Sequence, residues 1–178
     1  FSVALMSPNP KQVMLAHLLQ ARERGIKAAF DPGQQITTFE PQELRACIEH
    51  AHFIIGNDYE MRLMVERTGW SEEELMERAP VLITTLGERG SRIRTKEGVE
   101  EIPSCFVHEC VDPTGAGDAF RAGFFVGYVR GASLRTCAQV GSVTAAYAVE
   151  TYGTQEYSFT KAEFSERYRQ AYKMDIEI

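Results

Sequence analysis

The chain has 178 residues, 44% of them hydrophobic and 25% charged, with 19 Lys and Arg against 25 Asp and Glu for a net charge of −6. That length encloses a real core, and 14 Gly and 7 Pro are too few for a wholly disordered or collagen-like chain. The acidic balance argues against a broad nucleic-acid surface or a basic membrane-binding face, while backbone N–H groups can still hold a small anion.

Val3-Ala4-Leu5-Met6 reads as a buried strand, so a chain starting at Phe1 begins inside its fold, as a processed or truncated protein would. Ser7 to Pro10 reads as a turn and Lys11 to Arg24 as a helix, with Met14, Leu18 and Ala21 on one face and Gly25 as its stop. Ile26 to Phe30 is a second strand, ended by Asp31-Pro32-Gly33. Pro41 opens a helix carrying Leu44 and Ile48. Phe53-Ile54-Ile55 is a third strand, stopping at Gly56 before a helix that starts around Asn57-Asp58-Tyr59-Glu60. Ser71 and Glu74 form a capping box. Val81 to Thr85 is a fourth strand, and Ser91–Arg94 with Val99–Ile102 flank a hairpin turn. Phe106 to Val111 is one more extended piece. Helices follow at about Gly117–Arg130, Leu134–Glu150 and Thr160–Tyr172, the last with a second capping box, Thr160 and Glu163.

Apolar strands alternating with helices predict a mostly parallel sheet covered on both faces. Residues 1–178 read as a single layered α/β domain, without repeats or a Pro/Gly/Ser-rich linker. No apolar run approaches the ~20 residues of a membrane span, and no signal peptide is evident. Cys47, Cys105, Cys110 and Cys137 lack CxxC spacing and fit reduced thiols of a cytoplasmic protein. His17, His50, His52 and His108 lack metal-ligand spacing and read as surface or structural.

The most informative segment is Asp112-Pro113-Thr114-Gly115-Ala116-Gly117-Asp118. Gly115, Ala116 and Gly117 carry almost no side chain and lead into a helix, so several N–H groups can converge on one anion. Asp118, in the first turn, is placed to take a proton from an attacking hydroxyl in phosphoryl transfer. The same residues equally suit a tight turn followed by a dipole-favouring acid. Arg121, one turn on, is placed to reach a phosphate or to pair with an acid. Ala119, Gly123 and Gly127 make a small-residue stripe, and Ala138, Ser142, Ala145 and Val149 another, which predicts two helices packed closely behind the loop.

Asp112 to Asp118, continuing Ala-Phe-Arg-Ala-Gly-Phe124, resembles the C-terminal signature of the ribokinase-like, PfkB-family carbohydrate kinases. Among these it is most similar to bacterial sugar kinases of the adenosine-kinase-like group. Asp31–Gln34, Asn57–Glu60 and Val149–Gln155 extend the resemblance along the chain. It implies a layered ribokinase-like α/β/α fold and transfer of the γ-phosphoryl group of ATP to a hydroxymethyl group of a sugar or nucleoside. By resemblance Asp118 is the catalytic base, and Gly115, Ala116 and Gly117 form the anion hole. Asn57 and Glu60 match an NxxE motif that places Mg2+ through its waters. Thr85, Gly87 and Gly90 match a loop lining the donor nucleotide. Asp112 and Thr114 match positions that bind a monovalent cation such as K+ in some members.

Full-length members also carry an N-terminal part with the first strands, most of the acceptor pocket and a β lid. This chain lacks it, and alone is expected to lack a usable acceptor pocket. An uncovered apolar edge would favour association, as a homodimer for example. Two other classes fit the same residues: a regulatory module that holds nucleotide without turnover, and a piece of an assembly whose partner completes the sheet. Intact Asp118 argues against the first.

Overall fold

The computed structural model describes residues 8–176. The expected opening strand Val3–Met6 lies outside them. Two compact units form: one runs to Leu86 and takes in Arg92–Glu100, the other holds Gly87–Ser91 and the chain from Glu101 onward.

In the first unit, helix α1 spans Pro8–Glu23, so Pro8 and Pro10 lie inside its first turn rather than in a turn before it. Proline is tolerated there because first-turn amides have no intrahelical acceptor. Gly25 stops the helix as expected, at φ +67, with Ile26 N donating to Ala21 O at 2.8 Å and Gly25 N to Arg22 O at 3.1 Å. Strand β1 is only Ala29–Phe30, shorter than the expected run from Ile26. The chain then enters a 3₁₀ helix, Gly33–Thr38, anchored by buried Ile36.

Helix α2 is Pro41–His50, β2 Phe53–Asn57, α3 Asp58–Thr68, α4 Glu72–Arg78 and β3 Val81–Thr85. Strands β1, β2 and β3 are parallel neighbours, with Phe30 opposite Ile54 and Asn57 opposite Thr85. Phe53, Ile54 and Ile55 are all buried, which explains why β2 reads as an unbroken apolar run. Met14 and Leu18 of α1, Leu44 and Ile48 of α2, and Met61 and Met64 of α3 share one core with Phe30, Ile54 and Leu82.

Strands β4, Ser91–Thr95, and β5, Gly98–Ile102, complete a five-stranded sheet in the order β1-β2-β3-β4-β5. The short turn at Lys96-Glu97 makes this last pair antiparallel.

In the second unit, α5 spans Ala116–Val129, α6 Leu134–Val149 and α7 Lys161–Tyr172. The small-residue stripe on α5 does pack on α6. A Cβ at Gly123 would lie 2.8 Å from Val140 O, and one at Gly141 would lie 2.7 Å from Phe120 O. The face of α6 differs from the expected one by about one residue, roughly 100° of helix. Cys137, Gly141 and Thr144 meet the α5 glycines, whereas the Ser142 hydroxyl accepts the Cys105 N–H at 2.7 Å. Val140, Val143 and Ala146 join Phe164 and Tyr168 of α7 in a separate core.

The extended piece Phe106–Val111 does not join the sheet. Its backbone is satisfied across the helices instead: His108 N donates to Glu150 Oε1 at 2.7 Å, Val111 N to Val149 O at 2.8 Å, and Arg167 Nη2 to Phe106 O at 2.8 Å. The Arg167 hydrogen bonds hold the Glu150 carboxyl below its ordinary 4.5 despite partial burial. A carboxyl depressed on folding adds stability above its unfolded pKa, and that stability is lost as pH falls through the folded value. The urea unfolding midpoint is therefore expected to fall as pH drops below 4.5. Glu150→Gln should flatten that limb, which fluorescence-monitored titrations at several pH values would measure.

Candidate functional site

Gly115 caps α5 from the left-handed region, at φ +85, and a Cβ there would stand 3.1 Å from Thr154 Cβ and 3.2 Å from its Cα. Both conformation and space therefore demand glycine. A glycine cap offers no side chain to the first turn, and the α5 cap makes no side-chain hydrogen bond. Ala116 N reaches Pro113 O at 3.3 Å and Ala119 N reaches Gly115 O at 2.9 Å. The helix geometry leaves the Gly117 and Asp118 amides without an intrahelical acceptor. Amides of this kind, with the positive end of the helix dipole behind them, favour negative charge nearby.

Asp118 projects from the same turn, its side chain 75% exposed, and accepts from Arg121 Nη2 at 2.5 Å. Of the two options open to Arg121, the structure takes pairing with an acid. Asp112 organises the approach to the helix: Oδ1 accepts Thr114 N at 2.9 Å and Oδ2 accepts Gly153 N at 3.1 Å. The Thr114 hydroxyl and amide and the Gly153 amide hold its carboxyl below the usual range. Gly153 and Thr154 were not singled out from sequence as site residues. Both lie in the Val149–Gln155 segment that carries part of the family resemblance, and Gly153 adopts φ +95.

In the first unit, Asn57 ends β2 directly opposite Thr85 at the end of β3. The carboxyl ends of parallel strands are where open α/β sheets gather ligands. Asn57 and Glu60 form a reciprocal capping box: Glu60 N donates to Asn57 Oδ1 and Asn57 N to Glu60 Oε2, each at 2.8 Å. Glu60 is buried, with Gly56 packed against it, since a Cβ at Gly56 would lie 3.1 Å from Glu60 Oε2. The pair therefore caps α3, and the carboxylate keeps further lone pairs for a water-borne ligand. Asn57→Ala is expected to cost about 1 kcal/mol of stability through the lost cap, read from urea denaturation.

Gly87 and Gly90 belong to the second unit, on either side of Glu88 and Arg89. Gly87 sits at φ +61 with open space around it. Gly90, at φ +94, has a packing reason: its Cβ would fall 2.0 Å from Ile102 O. Ser104 Oγ donates to Glu88 O at 2.6 Å and ties the loop to the chain beyond β5.

Cys47 and Cys137 are buried and poorly suited to thiolate chemistry. Burial pushes the Cys47 thiol up to about 12 and Cys137 up to about 11, far from thiolate at neutral pH. Among the described residues no cluster of three His, Cys, Asp or Glu is arranged to hold a metal directly. No helix there is long and apolar enough to cross a membrane.

A five-stranded sheet whose first three strands run parallel, followed by helices of which α5 is glycine-capped with an acid in its first turn, defines the class: an α/β protein. Residues 1–161 match the pfkB family carbohydrate kinase model. The chain belongs to that family. It is 39% identical over 127 residues to a nucleoside kinase of Methanocaldococcus jannaschii, covering 71% of this chain and 42% of that protein. The structure superposes on Burkholderia thailandensis nucleoside kinase in complex with ADP-inosine at a TM-score of 0.88 and 38% identity, covering 92% of this chain and 51% of that one. It superposes on M. jannaschii nucleoside kinase, an archaeal member of the ribokinase family, at a TM-score of 0.85 and 34% identity, covering 90% and 53%. The ribokinase-like α/β fold expected from the sequence is therefore present. The chain spans about half the length of the relatives it matches.

Proposed function

We propose that the protein is the donor-nucleotide and catalytic portion of an ATP-dependent kinase acting on a hydroxymethyl group of a nucleoside or sugar. The observation that carries this reading is the α5 N-terminus: two uncapped amides and the exposed Asp118 carboxylate share one turn. Asp118 takes the proton of the acceptor hydroxyl as its oxygen attacks the γ-phosphorus. The bond from that phosphorus to the β-phosphate oxygen breaks and ADP leaves. The amides around Gly115, Ala116 and Gly117 meet the charge that develops on the phosphates, so positioning and charge stabilisation come from one helix end.

Thr85, Gly87 and Gly90 are assigned to the donor nucleotide on family resemblance. In the first unit, Asn57 and Glu60 suit Mg2+ held through its waters: each spends one oxygen on the helix cap, which leaves hydrogen bonds to coordinated water rather than direct ligation. A magnesium ion held there through its waters would supply positive charge for a nucleotide's phosphates. Asp112 and Thr114 spend hydrogen bonds on their own loop, and a K+ ion would be held by the lone pairs that remain. Nucleosides stand first among acceptors because the relatives at 39% and 38% identity are nucleoside kinases.

The test is ATP-dependent ADP release by this chain and by the whole gene product over a panel of nucleosides and sugars. Turnover with one acceptor class names the substrate. A folded product that binds MgATP but phosphorylates nothing would replace the kinase reading with the regulatory one.

A further inference from the structure

Helix α7 begins where the match to the family model ends, at residue 161, yet it carries the most elaborately held charge of the second unit. Arg167 is 7% exposed. Its Nη1 donates to Glu150 Oε2 at 2.7 Å and its Nη2 to Glu150 Oε1 at 2.6 Å, while Nη2 also reaches Phe106 O at 2.8 Å. The guanidinium lies 4.5 Å from the Tyr147 ring centroid and 5.1 Å from that of Phe106. Burial alone would depress its pKa; the bonds to Glu150 and the neighbouring Cys105 outweigh that and hold the group charged.

A buried ion pair is weak evidence for stability, since desolvation offsets much of the attraction. Its place in the fold suggests another role. Glu150 caps the end of α6, and its carboxylate also takes the His108 N–H. Immediately beside it, Val149 O accepts both Val111 N, at 2.8 Å, and Asp112 N, at 3.1 Å. Gly153 N then binds Asp112 Oδ2, and Thr154 forms the wall against which Gly115 turns. Both strands of backbone that shape the α5 N-terminus, 106–115 and 149–154, are thus fastened to one guanidinium. Only a planar group with parallel donors makes the bidentate pair and the carbonyl bond together.

We infer that Arg167 is a positioning residue for the anion-binding turn, acting through Glu150 on the 149–154 segment that sets Asp112 and Gly115. This rests on the kinase reading for its effect on rate, but not for its effect on the loop. Loss of the pair lets the 111–118 backbone relax while the α5–α6 packing, made by glycine contacts elsewhere, persists. A misplacement of the phosphate-binding amides by about 1 Å is enough to cost on the order of 100-fold in rate.

The experiment compares wild type, Arg167→Lys, Arg167→Met and Glu150→Gln in the whole gene product. Two quantities are read: amide hydrogen exchange of residues 111–118 against 119–129, and kcat with KM for acceptor and ATP per folded molecule. Arg167→Met is expected to speed exchange at 111–118 by about tenfold or more, with 119–129 unchanged. Its kcat should fall about 10- to 100-fold with acceptor KM within about twofold. Arg167→Lys, which keeps charge without the fork, should fall between the two. If Arg167→Met does not fold, Glu150→Gln carries the test, since it keeps the shape and an acceptor for His108 N. Unchanged exchange at 111–118 in the folded variant overturns the inference, whatever the activity. Exchange that rises across 119–129 equally overturns it, leaving a general stability role. A wild type without turnover, but with the local exchange pattern, removes the kinase reading and leaves the positioning role standing.

Discussion

Asp118→Asn is expected to lower kcat by about 10²- to 10⁴-fold, the range a positioned general base supplies, while KM for ATP changes little. That is roughly 3–5 kcal/mol of transition-state stabilisation. Stability should scarcely move. The side chain is 75% exposed and its ion pair with Arg121 is a surface pair three residues apart, worth well under ~1 kcal/mol. The carboxylate also favours the positive end of α5, and its loss there costs at most about 1 kcal/mol. A large fall in rate with an almost unchanged thermal midpoint is therefore the signature of chemistry at this atom. Asparagine keeps the volume and an acceptor oxygen but cannot take the proton. Steady-state ADP release and differential scanning fluorimetry on the same preparations measure both quantities. Undiminished turnover in Asp118→Asn would remove Asp118 as the base.

Arg121→Met adds a distinction within the same turn. If Arg121 serves only to pair with Asp118, its loss frees the carboxylate and leaves KM for ATP where it was. If it moves to phosphate during the reaction, KM for ATP rises.

Local chemistry was readable in the sequence wherever one or two neighbouring residues decide the geometry. Pro41 at the first helical position, the boxes of Ser71 with Glu74 and Thr160 with Glu163, and Gly25 at its left-handed stop all stand as expected. Such features need no knowledge of the rest of the chain. What escaped was set by partners far away. Phe106–Val111 has the apolar character of a strand, but its backbone groups are claimed by Glu150, Val149 and Arg167, 38 or more positions on. Small side chains recur on two adjacent faces of α6, so the sequence alone does not say which face meets α5. Only the approach of the Phe120 carbonyl to Gly141 selects between them. Of the candidate site, the glycine-rich turn and Asp118 were legible as a motif. The tie from Asp112 to Gly153 was not, since 41 residues separate the two.

The largest stability effect is expected from Gly123→Ala. An added methyl there would stand 2.4 Å from Thr144 Oγ1, 2.8 Å from Val140 O and 2.9 Å from Gly141 Cα. The first contact is with a side chain, but Thr144 already spends its hydroxyl on Val140 O at 2.8 Å, so turning it away sacrifices a buried hydrogen bond. The other two contacts are with backbone and have no rotamer to yield. The helices must separate, losing contacts along the whole α5–α6 seam, and overpacking of this kind costs about 3 kcal/mol. Helix propensity works the other way, since alanine is favoured over glycine by about 1 kcal/mol, so a net loss of about 2 kcal/mol is expected. Gly127→Ala is the control: its methyl would first meet Cys137 Cα at 3.2 Å and Sγ at 3.3 Å, a squeeze of a few tenths of an ångström. There the propensity gain should largely cancel the strain. Urea denaturation of the two variants side by side separates the cases. Equal stability would mean that α5 and α6 slide apart at little cost, and the turn holding Asp118 would then lack the rigid support that positioned phosphoryl transfer requires.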